Sequence, residues 1–416
     1  MGLTATAAAL GMTVALAGCG SSGSGGDVTL KLVAADYDLD GGDTTKQYWD
    51  GVTTDFEAAH ENIKVDVEVI SWTDVDRKVA EMVAAGKAPD IAQIGAYADY
   101  AAQDKLYAVD DLLSIPTQAN FLAPLADAGE VSRVAYGMPF VASTRLLFYN
   151  KTLFSQAGLK APKSWEDLES AATKLKGRGV KYPFALPLGS EEAQAETMNW
   201  MLSGGGGYTD SVGSYTVDSD QNIAAFRWLK DNLVGKGLTG PGSPGKLNRK
   251  DAFAAFSGGQ VGMLNGHPSL MQQAKGKGVK FGMVPLPGPG GKAKSSMGVA
   301  DWVMGFKQNG HRKEIGTFLN FAYSDENVLE FADQNDILPV TVSASESMGK
   351  DPAHKDLWQF LDALPDSTLP PVGKTSWAKV SESVKKQIGS TVEPDGDPAS
   401  VLGAIGREAA ATENAE

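Results

Sequence analysis

The segment DYDLDGGD, residues 36–43, carries carboxylates at alternate positions and is a place where the sequence could do chemistry. Asp36, Asp38 and Asp40 precede a glycine, and Gln47 stands where a calcium-binding loop would place its last ligand. Such a loop needs a bidentate acid at that point and a helix leading into it. Here glutamine replaces the acid and the strand-like run VTLKLVAA precedes the loop, so calcium binding is the weaker interpretation. The carboxylates can instead accept hydrogen bonds from the hydroxyls of an organic ligand, and a polar loop without ligand contact is the next alternative, ahead of calcium.

Aromatic side chains near predicted loops and element ends form a second group of candidates. Their flat rings suit the apolar face of a sugar, while carboxylate, amide and guanidinium groups bond sugar hydroxyls in pairs. A tryptophan is more often a core residue than a ligand platform, so packing is the alternative for each position. The candidates are Tyr37, Tyr97, Trp200, Trp302 and Trp377.

Motifs for catalysis and for phosphate binding are missing or out of context. The pattern G-x-G-x-x-G begins at Gly18, Gly235 and Gly240, but none of the three lies between a predicted strand and a helix. The sequence has no G-x-S-x-G, no H-E-x-x-H and no P-loop, and its four histidines are scattered. We therefore expect no enzyme activity and no metal site, although two carboxylates that meet in space for glycoside hydrolysis leave no sequence signature.

The N-terminal residues indicate an exported protein, and the charge balance is compatible with that. A formal net charge of −14 argues against nucleic acid as a partner, because phosphate binding needs clustered Lys and Arg. Residues 3–17 form an apolar run too short to span a bilayer, as in a cleaved signal peptide. The sequence LAGC that ends at Cys19 resembles the bacterial lipobox, in which the cysteine carries the lipid, although no Lys or Arg precedes it. We expect a signal peptide over residues 1–18, a lipidated tether over residues 19–27, and anchoring to the outer face of the cell membrane.

Strand and helix patterns alternate along the rest of the chain. VTLKLVA, IKVDVEVI and PDIAQIG are typical of strands, and Thr45–Ala59 and Trp72–Ala85 between them of helices. This βαβαβ series predicts a largely parallel sheet with helices on both faces. A second α/β block begins with the strand TRLLFYN and a helix that starts at Ser164. Helices dominate after His311, with the strand-like run ILPVTV among them, and 416 residues leave room for two domains.

Five segments in register give the sequence a family resemblance. They are GKAPDIAQIGAYADYAAQDKLYAVDDLL, VASTRLLFYNKTLFSQAGLKAPKSWEDL, FAAFSGGQVGMLNGHPSL, MGVADWVMGF and ILPVTVSA. With the lipobox before them, the chain resembles the sugar-binding lipoproteins of bacterial ABC importers, the extracellular solute-binding family that includes maltose-binding protein. The resemblance implies an α/β periplasmic-binding-protein fold of the class II type, with two lobes, each a sheet flanked by helices, and a ligand cleft between them. It also implies discontinuous lobes, residues 28–141 plus 298–340 and residues 147–292 plus 345–410, with the chain crossing near Val141–Leu147.

The resemblance further implies where a ligand would be held. Loops at the carboxyl ends of strands line such clefts, here Asp36–Asp43, Gly95–Tyr97 and Val141–Arg145. Positions that match ligand contacts of the family add the NGHP turn (residues 265–268), the ADW step (residues 300–302), Trp200 and Trp377. NGHP departs from the family's GPW-like turn and so lacks an aromatic contact, and Ser143 stands where maltose-binding protein has a glutamate. The expected ligand-binding residues are Asp36, Tyr37, Tyr97, Ser143, Arg145, Trp200, Gly266, His267, Asp301, Trp302 and Trp377.

The function implied by this resemblance is capture of a mono- or oligosaccharide outside the cytoplasm and its delivery to an ABC permease and its ATPase. Closure would be a hinge movement in which the ligand bonds both lobes. The receptor would be a monomer, would need no cofactor, and would touch the membrane only through its lipid anchor. Two alternatives stay open: a secreted glycoside-active lipoprotein enzyme with two carboxylates facing each other across the cleft, and a binding protein for a non-sugar solute such as a peptide or polyamine.

Overall fold

Two main sheets form the framework of the protein. The structure is a computed structural model and describes residues 27–38 and 42–414. The expected signal peptide, Cys19, almost all of the tether, and Asp40 lie outside the described residues. The strands are β1 (Val28–Asp36), β2 (Ile63–Ser71), β3 (Ile91–Ile94), β4 (Glu130–Val131), β5 (Val134–Ala135), β6 (Met138–Thr144), β7 (Leu146–Asn150), β8 (Tyr182–Phe184), β9 (Val261–Gly266), β10 (Phe281–Val284) and β11 (Gly298–Gly305).

Helices cover these sheets and make up most of the C-terminal part. They are α1 (Thr44–Ala59), α2 (Val75–Ala84), α3 (Ala98–Ala102), α4 (Val109–Leu112), α5 (Ile115–Ala119), α6 (Ala123–Ala128), α7 (Lys151–Gln156), α8 (Trp165–Gly177), α9 (Ala193–Ser203), α10 (Asp220–Trp228), α11 (Arg249–Ser257), α12 (Pro268–Gly276), α13 (Arg312–Ala322), α14 (Asp325–Gln334), α15 (Val342–Lys350), α16 (Trp358–Ala363), α17 (Trp377–Gln387) and α18 (Pro398–Glu413). A π-helical turn at Leu229–Val234 continues α10, and short 3-10 helices lie at Pro244–Lys246, Pro352–His354 and Ile388–Val392. Within the described ranges, no helix is long and apolar enough to cross a membrane.

The first sheet confirms the predicted βαβαβ series. Its strand order is β2-β1-β3-β11-β6, in which β1 runs parallel to β2 and β3 while β11 runs antiparallel to β3 and β6. β1 lies between two neighbours, and its Leu32, Val33 and Ala34 are all buried. A strand covered on both faces carries a continuous apolar run, whereas the edge strand β2 alternates. The loop with Tyr37 and Asp38 leaves this sheet at the carboxyl end of β1.

The second sheet has the order β10-β7-β9-β8 and confirms the second α/β block. β7 is antiparallel to β9 and β10, and β8 is parallel to β9. The helix expected at Ser164 is present, because the Ser164 hydroxyl caps α8 by accepting the Asp167 N–H (3.2 Å). The strand expected at ILPVTV is not formed. Leu338 and Thr341 make only isolated bridges, and Thr341 already serves as the N-cap of α15.

The two sheets are joined by three segments that run side by side. β6 belongs to the first sheet and β7 to the second, and Arg145 alone separates them. The chain returns between β10 and β11, where the Arg145 N–H donates to the Met297 carbonyl (3.2 Å). Thr368 forms the third passage, because its N–H donates to Ser296 and its carbonyl accepts from Gly298, both at 2.9 Å. The result is a two-lobed molecule in which the chain first crosses between the sheets at Arg145.

Candidate ligand-binding site

A cavity of about 570 Å³ lies between the facing ends of the two sheets. Its size is that of a small-molecule site. Side chains from both lobes line it, and five of the expected residues are among them. The wall residues that matter below are Tyr37, Asp38, Ser143, Arg145, Glu192, Arg249, His267, Gln272, Asp301 and Asp336.

Tyr37 and Asp301 form one polar pair of the wall. The Tyr37 hydroxyl donates to Asp301 Oδ2 (2.7 Å) and accepts from Gln93 Nε2 (2.6 Å). Gln93 is buried, and its Oε1 accepts the Ala35 N–H (3.1 Å), which fixes the orientation of the amide. Burial raises the pKa of the Tyr37 hydroxyl well above 10, and Asp301 raises it further, so the phenol stays a donor. The Tyr37 ring is therefore held in one position at the cavity.

The Asp301 carboxyl has a raised pKa. Burial raises its pKa from 3.8 to about 6, although the Tyr37 hydrogen bond and the charge of Arg145 both act to lower it. The pairing of β11 with β6 shifts register between Asp301 and Trp302, as in a β-bulge, a distortion that often re-aims side chains beside functional sites. Asp301 thus changes charge close to neutral pH inside the cavity wall.

We expect the stability difference between the wild type and Asp301→Asn to depend on pH. The folded state keeps the Asp301 proton up to about pH 6, whereas the unfolded chain loses it near pH 3.8. Between these values the folded state binds more protons, so rising pH destabilises the wild type relative to the variant, by roughly 3 kcal/mol in total. Denaturant titrations of both proteins across this range measure the difference. Tyr37→Phe is the control, because it removes a hydrogen bond that lowers the pKa of Asp301, so the change in stability should move to higher pH. A stability difference that does not vary with pH would contradict a raised pKa of Asp301.

Arg145 is a buried guanidinium at the connection between the lobes. Its Nη1 donates to Ser143 Oγ (3.1 Å) and its Nη2 to Glu192 Oε1 (2.9 Å). The side chain is 9% exposed. Burial lowers the pKa of the Arg145 guanidinium, while Glu192 acts to raise it, and an arginine stays charged in either case. A buried charge of this kind is tolerated because it is paired and hydrogen-bonded.

A second arginine shares the same carboxylate. Glu192 Oε2 lies against Arg249 Nε, and Arg249 Nη2 also donates to Glu191 Oε1 (2.9 Å). His267 Nε2 lies 3.5 Å from Arg249 Nη1, and because arginine only donates, this nitrogen accepts. The proton is then on Nδ1, which donates to Ser269 Oγ (3.1 Å). Burial and the two arginines lower the pKa of His267 well below 6.5, so the imidazole is neutral and the wall offers both donors and acceptors.

Three of the expected aromatic residues are buried in the cores instead of lining the cavity. Tyr97 donates its hydroxyl to the Ala128 carbonyl (2.9 Å), and its ring lies 5.7 Å from that of Trp302. Trp200 is 0% exposed in the middle of α9, and its indole N–H donates to Glu196 Oε1 (2.7 Å). The structure corrects the expectation for all three positions, because a ring with no exposed face cannot stack on a sugar.

Trp377 begins α17 and packs into the core of the second lobe. It is 9% exposed, and its ring meets the Tyr208 ring edge-on at 4.9 Å. Val380 and Val384 continue the same buried face of the helix. The ring is not part of the cavity wall described above, so the structure gives it a packing role where stacking on a sugar was expected.

Asp36 and Gly266 shape the backbone next to the cavity. Asp36 Oδ1 accepts the Asp38 N–H (3.0 Å), which closes a turn after β1, and the carboxylate that lines the cavity is that of Asp38. A Cβ at Gly266 would lie 2.5 Å from Leu270 and 2.9 Å from Phe148, so packing explains this glycine. Among the residues that the structure describes, no three His, Cys, Asp or Glu side chains are arranged to hold a metal ion.

Several wall residues were not expected from the sequence. Glu192, Arg249 and Gln272 lie far apart in the chain, and no local pattern shows that they meet. Trp72 could have been selected from the sequence as a residue near the cavity, because it directly follows the carboxyl end of β2. The loop after β1 was selected by the same criterion. The Trp72 ring is half-buried and meets the Tyr37 ring edge-on at 5.6 Å. Trp72 is not itself in the wall, but its ring packs against the wall residue Tyr37.

This architecture is shared by solved structures. The cyclic α-maltosyl-1,6-maltose binding protein from Arthrobacter globiformis is 18% identical with a TM-score of 0.78, covering 94% of this chain and 100% of that chain. An ABC transporter solute-binding protein from Thermotoga lettingae, bound with α-D-tagatose, is 18% identical with a TM-score of 0.75, covering 93% of this chain and 100% of that chain. The fold is thus that of the two-lobed periplasmic binding proteins.

The sequence gives the family within this class. Residues 41–329 match the model of the bacterial extracellular solute-binding protein family, and the chain belongs to that family. A binding protein of Brucella abortus (strain 2308) is 28% identical over 389 residues, which are 92% of this chain and 92% of the relative. The relatives named here are binding proteins, in agreement with a cavity whose two arginines are both paired with Glu192.

Proposed function

We propose that the protein is an extracytoplasmic receptor that captures a neutral carbohydrate between its lobes and delivers it to an ABC transporter. The observation that carries the proposal is the cavity wall, a set of hydrogen-bonding side chains contributed by both lobes. Sugar hydroxyls both donate and accept hydrogen bonds. A wall that mixes carboxylates, guanidinium groups, a phenol and a neutral imidazole serves both roles.

The charges of the wall disfavour an anionic solute. Its two arginines, Arg145 and Arg249, both contact Glu192, so neither is an unpaired cation. A phosphate or carboxylate group would need such cations as charge-assisted donors. The acids of the wall outnumber its arginines and are Asp38, Glu192, Asp301 and Asp336. A cationic solute stays the second candidate on charge alone.

The related proteins favour a sugar over a cationic solute. One solved neighbour is named for cyclic α-maltosyl-1,6-maltose, and another is bound with α-D-tagatose. We propose that the adjoining rings of Tyr37 and Trp72 supply the apolar surface against which a sugar face lies. The ligands of these neighbours differ in kind, so they support the class of solute and leave its identity to experiment.

We propose that the two lobes, residues 28–141 plus 298–340 and residues 147–292 plus 345–410, close on the solute by a hinge movement. Gln272 of α12 reaches across the cavity, where its Nε2 donates to Asp336 Oδ2 (2.8 Å) and approaches the Asn335 carbonyl (3.4 Å). These bonds join different lobes and form only when the lobes are close. A contact made in one state alone shifts the equilibrium toward that state.

Gln272→Ala should weaken the binding of every sugar ligand by a similar factor. The variant loses one hydrogen bond across the cleft, whose net contribution is about 1 kcal/mol. Because the bond stabilises only the closed state, its loss should weaken the apparent affinity about fivefold. Calorimetric titration with two different sugars measures the factor. Gln273→Ala, the exposed neighbour on the same helix, is the control and should bind as the wild type does. A loss confined to one sugar would mean that Gln272 acts as a ligand contact and not on closure.

We propose that Cys19 carries the lipid that holds this receptor at the outer face of the membrane, next to its permease and ATPase. A Cys19→Ser variant should no longer fractionate with membranes, because a serine cannot form the thioether of a lipoprotein. Fractionation followed by immunoblotting measures this, and unchanged membrane retention would contradict the anchor. In this proposal the receptor works as a monomer, since each chain contains both walls of the cavity.

We propose that the solute leaves chemically unchanged. A glycoside-active alternative needs a free acid and a free base that flank the bond to be broken. Asp301 is bonded by Tyr37, and Glu192 by Arg145 and Arg249. The other two wall acids also accept bonds within the protein, Asp38 from the Thr45 N–H and Asp336 from Gln272. Incubation with oligosaccharides followed by chromatography tests this, and the appearance of shorter products would favour the enzyme.

A thermal-shift panel tests the proposed function. It contains neutral mono- and oligosaccharides, sn-glycerol 3-phosphate and spermidine as representatives of the three charge classes. A sugar at a hundred times its Kd should add about 2.7 kcal/mol of stability. Stabilisation by spermidine or by the phosphate, with none by any sugar, would overturn the proposal in favour of a non-sugar solute.

A further inference from the structure

Three cavities meet at Arg145. The cleft cavity described above has about 570 Å³, a second cavity of about 490 Å³ lies between the loop after β10 and the end of α16, and a small one of about 20 Å³ adjoins both. Arg145 lines all three. The small cavity shares Glu192 and Arg249 with the cleft cavity and Asn199 with the second cavity. The cavities therefore form a row with the Arg145 guanidinium in its middle.

One side of α9 runs along this row. Glu192, Glu196, Asn199 and Ser203 are separated by four, three and four residues, which places them on one helix face. Glu192 lines the cleft cavity, Glu196 and Asn199 line the small one, and Asn199 and Ser203 line the second. A single rigid element thus offers polar side chains to the whole row.

The small cavity contains a buried acceptor without a donor. Asn265 is 4% exposed, and its Nδ2 donates to Glu196 Oε1 (2.9 Å). Its Oδ1 has no hydrogen-bond partner among the residues that the structure describes. A buried oxygen of this kind is costly unless a donor reaches it, and a ligand hydroxyl is such a donor.

The second cavity has the mixed character of a sugar subsite. Leu286 and Met297 supply apolar surface, and Ser295, Lys292 and Asp366 supply polar groups. Sugars present both kinds of surface at once, an apolar face and a rim of hydroxyls.

We propose that the captured solute is an oligosaccharide that lies along α9 and occupies both the cleft cavity and the second cavity, with Arg145 between its units. This inference rests on the proposed function and specifies the length of the ligand. The space between the two large cavities is filled by the Arg145 side chain, so a long ligand turns that side chain aside. Glu192 then keeps Arg249 as its partner and is not left unpaired. The displaced guanidinium exchanges its bonds to Ser143 and Glu192 for bonds to hydroxyls of the sugar units on either side, to which it can offer five N–H donors.

Calorimetry with chains of increasing length tests this proposal. The probes are α-1,4-linked and β-1,3-linked gluco-oligosaccharides of one to about five units. In the series that binds more tightly, affinity should rise about tenfold or more once the chain exceeds about two units. Affinity that is independent of length would overturn the inference and leave sugar capture standing. If no sugar of the thermal-shift panel binds at all, the proposed function falls and this inference with it.

A variant that fills the second cavity separates the two subsites. Ala293 is half-buried in the wall of that cavity, and Ala293→Trp should reduce the affinity of the longer chains to that of the disaccharide while leaving the disaccharide unaffected. Ala410→Trp places the same ring on the exposed side of α18 and should change neither affinity. Equal loss for short and long chains, or no loss for either, would contradict a ligand that extends past Arg145. Melting curves of both variants confirm that each remains folded.

Discussion

Arg145→Ala should lower both the sugar affinity and the free energy of unfolding, and it is the wall variant for which we expect the largest loss of function. The guanidinium is 9% exposed and bonded to Ser143 Oγ and Glu192 Oε1. Removing one partner of a buried pair typically costs about 3–5 kcal/mol, because the other charge stays buried. Arg249 still contacts Glu192, so we expect a stability loss at the lower end and an affinity loss of about a hundredfold. Denaturant titration and calorimetry measure the two quantities separately.

Arg312→Ala is the matched control for Arg145. Its ion pair with Asp111 has a similar length, 3.0 Å, but the two side chains are 58% and 42% exposed. Exposed pairs contribute about 0–1 kcal/mol, so this variant should resemble the wild type in stability and in affinity. Wild-type sugar binding by Arg145→Ala would exclude the guanidinium from the site.

Trp200→Ala should lower the free energy of unfolding by about 3–5 kcal/mol, the usual cost of removing a buried tryptophan ring. The ring is 0% exposed and packs near Trp165 (6.2 Å) and Trp228 (5.9 Å). Its indole N–H donates to the buried carboxyl of Glu196, which then also loses a partner. Trp377→Ala should have the same kind of effect, because that ring too packs in the core. The protein that remains folded should still bind sugar.

Trp72→Ala is the contrasting variant. Its ring is half-buried beside Tyr37, so its loss should change the melting temperature little and weaken sugar binding. Measuring both properties on Trp200→Ala, Trp377→Ala and Trp72→Ala separates packing from ligand contact. A Trp377→Ala protein with an unchanged melting temperature and lost affinity would restore the stacking role that the family resemblance implied.

Much of the fold could be predicted from the sequence because its signals are local. The apolar run of β1, the alternation of β2 and the Ser164 cap of α8 are each visible within a few residues. The run ILPVTV failed as a strand because the same residues also contain Thr341, whose side chain caps α15. Local β-propensity and local capping competed there, and only the tertiary structure decides between them.

Five of the expected site residues meet in one cavity wall, and four of them share a position relative to strands. Tyr37, Arg145 and His267 directly follow strands and Ser143 lies one residue before the end of β6, positions that reach the cavity at the facing ends of the sheets. Asp301 lies inside β11, next to its register shift. The buried tryptophans were chosen on residue type, predicted element ends and matching family positions, and none of these criteria distinguishes an exposed ring from a core ring. The link of Glu192 to both Arg145 and Arg249 joins distant parts of the chain, and charge pairing over such separations leaves no sequence pattern.

The most direct test of this account is a crystal structure with the best sugar from the thermal-shift panel. We expect the sugar between the lobes, bonded by Asp301 or Tyr37 on one side and by Arg145 or His267 on the other. A sugar held by one lobe alone, or bound outside the cavity of about 570 Å³, would contradict capture by the cavity wall described here.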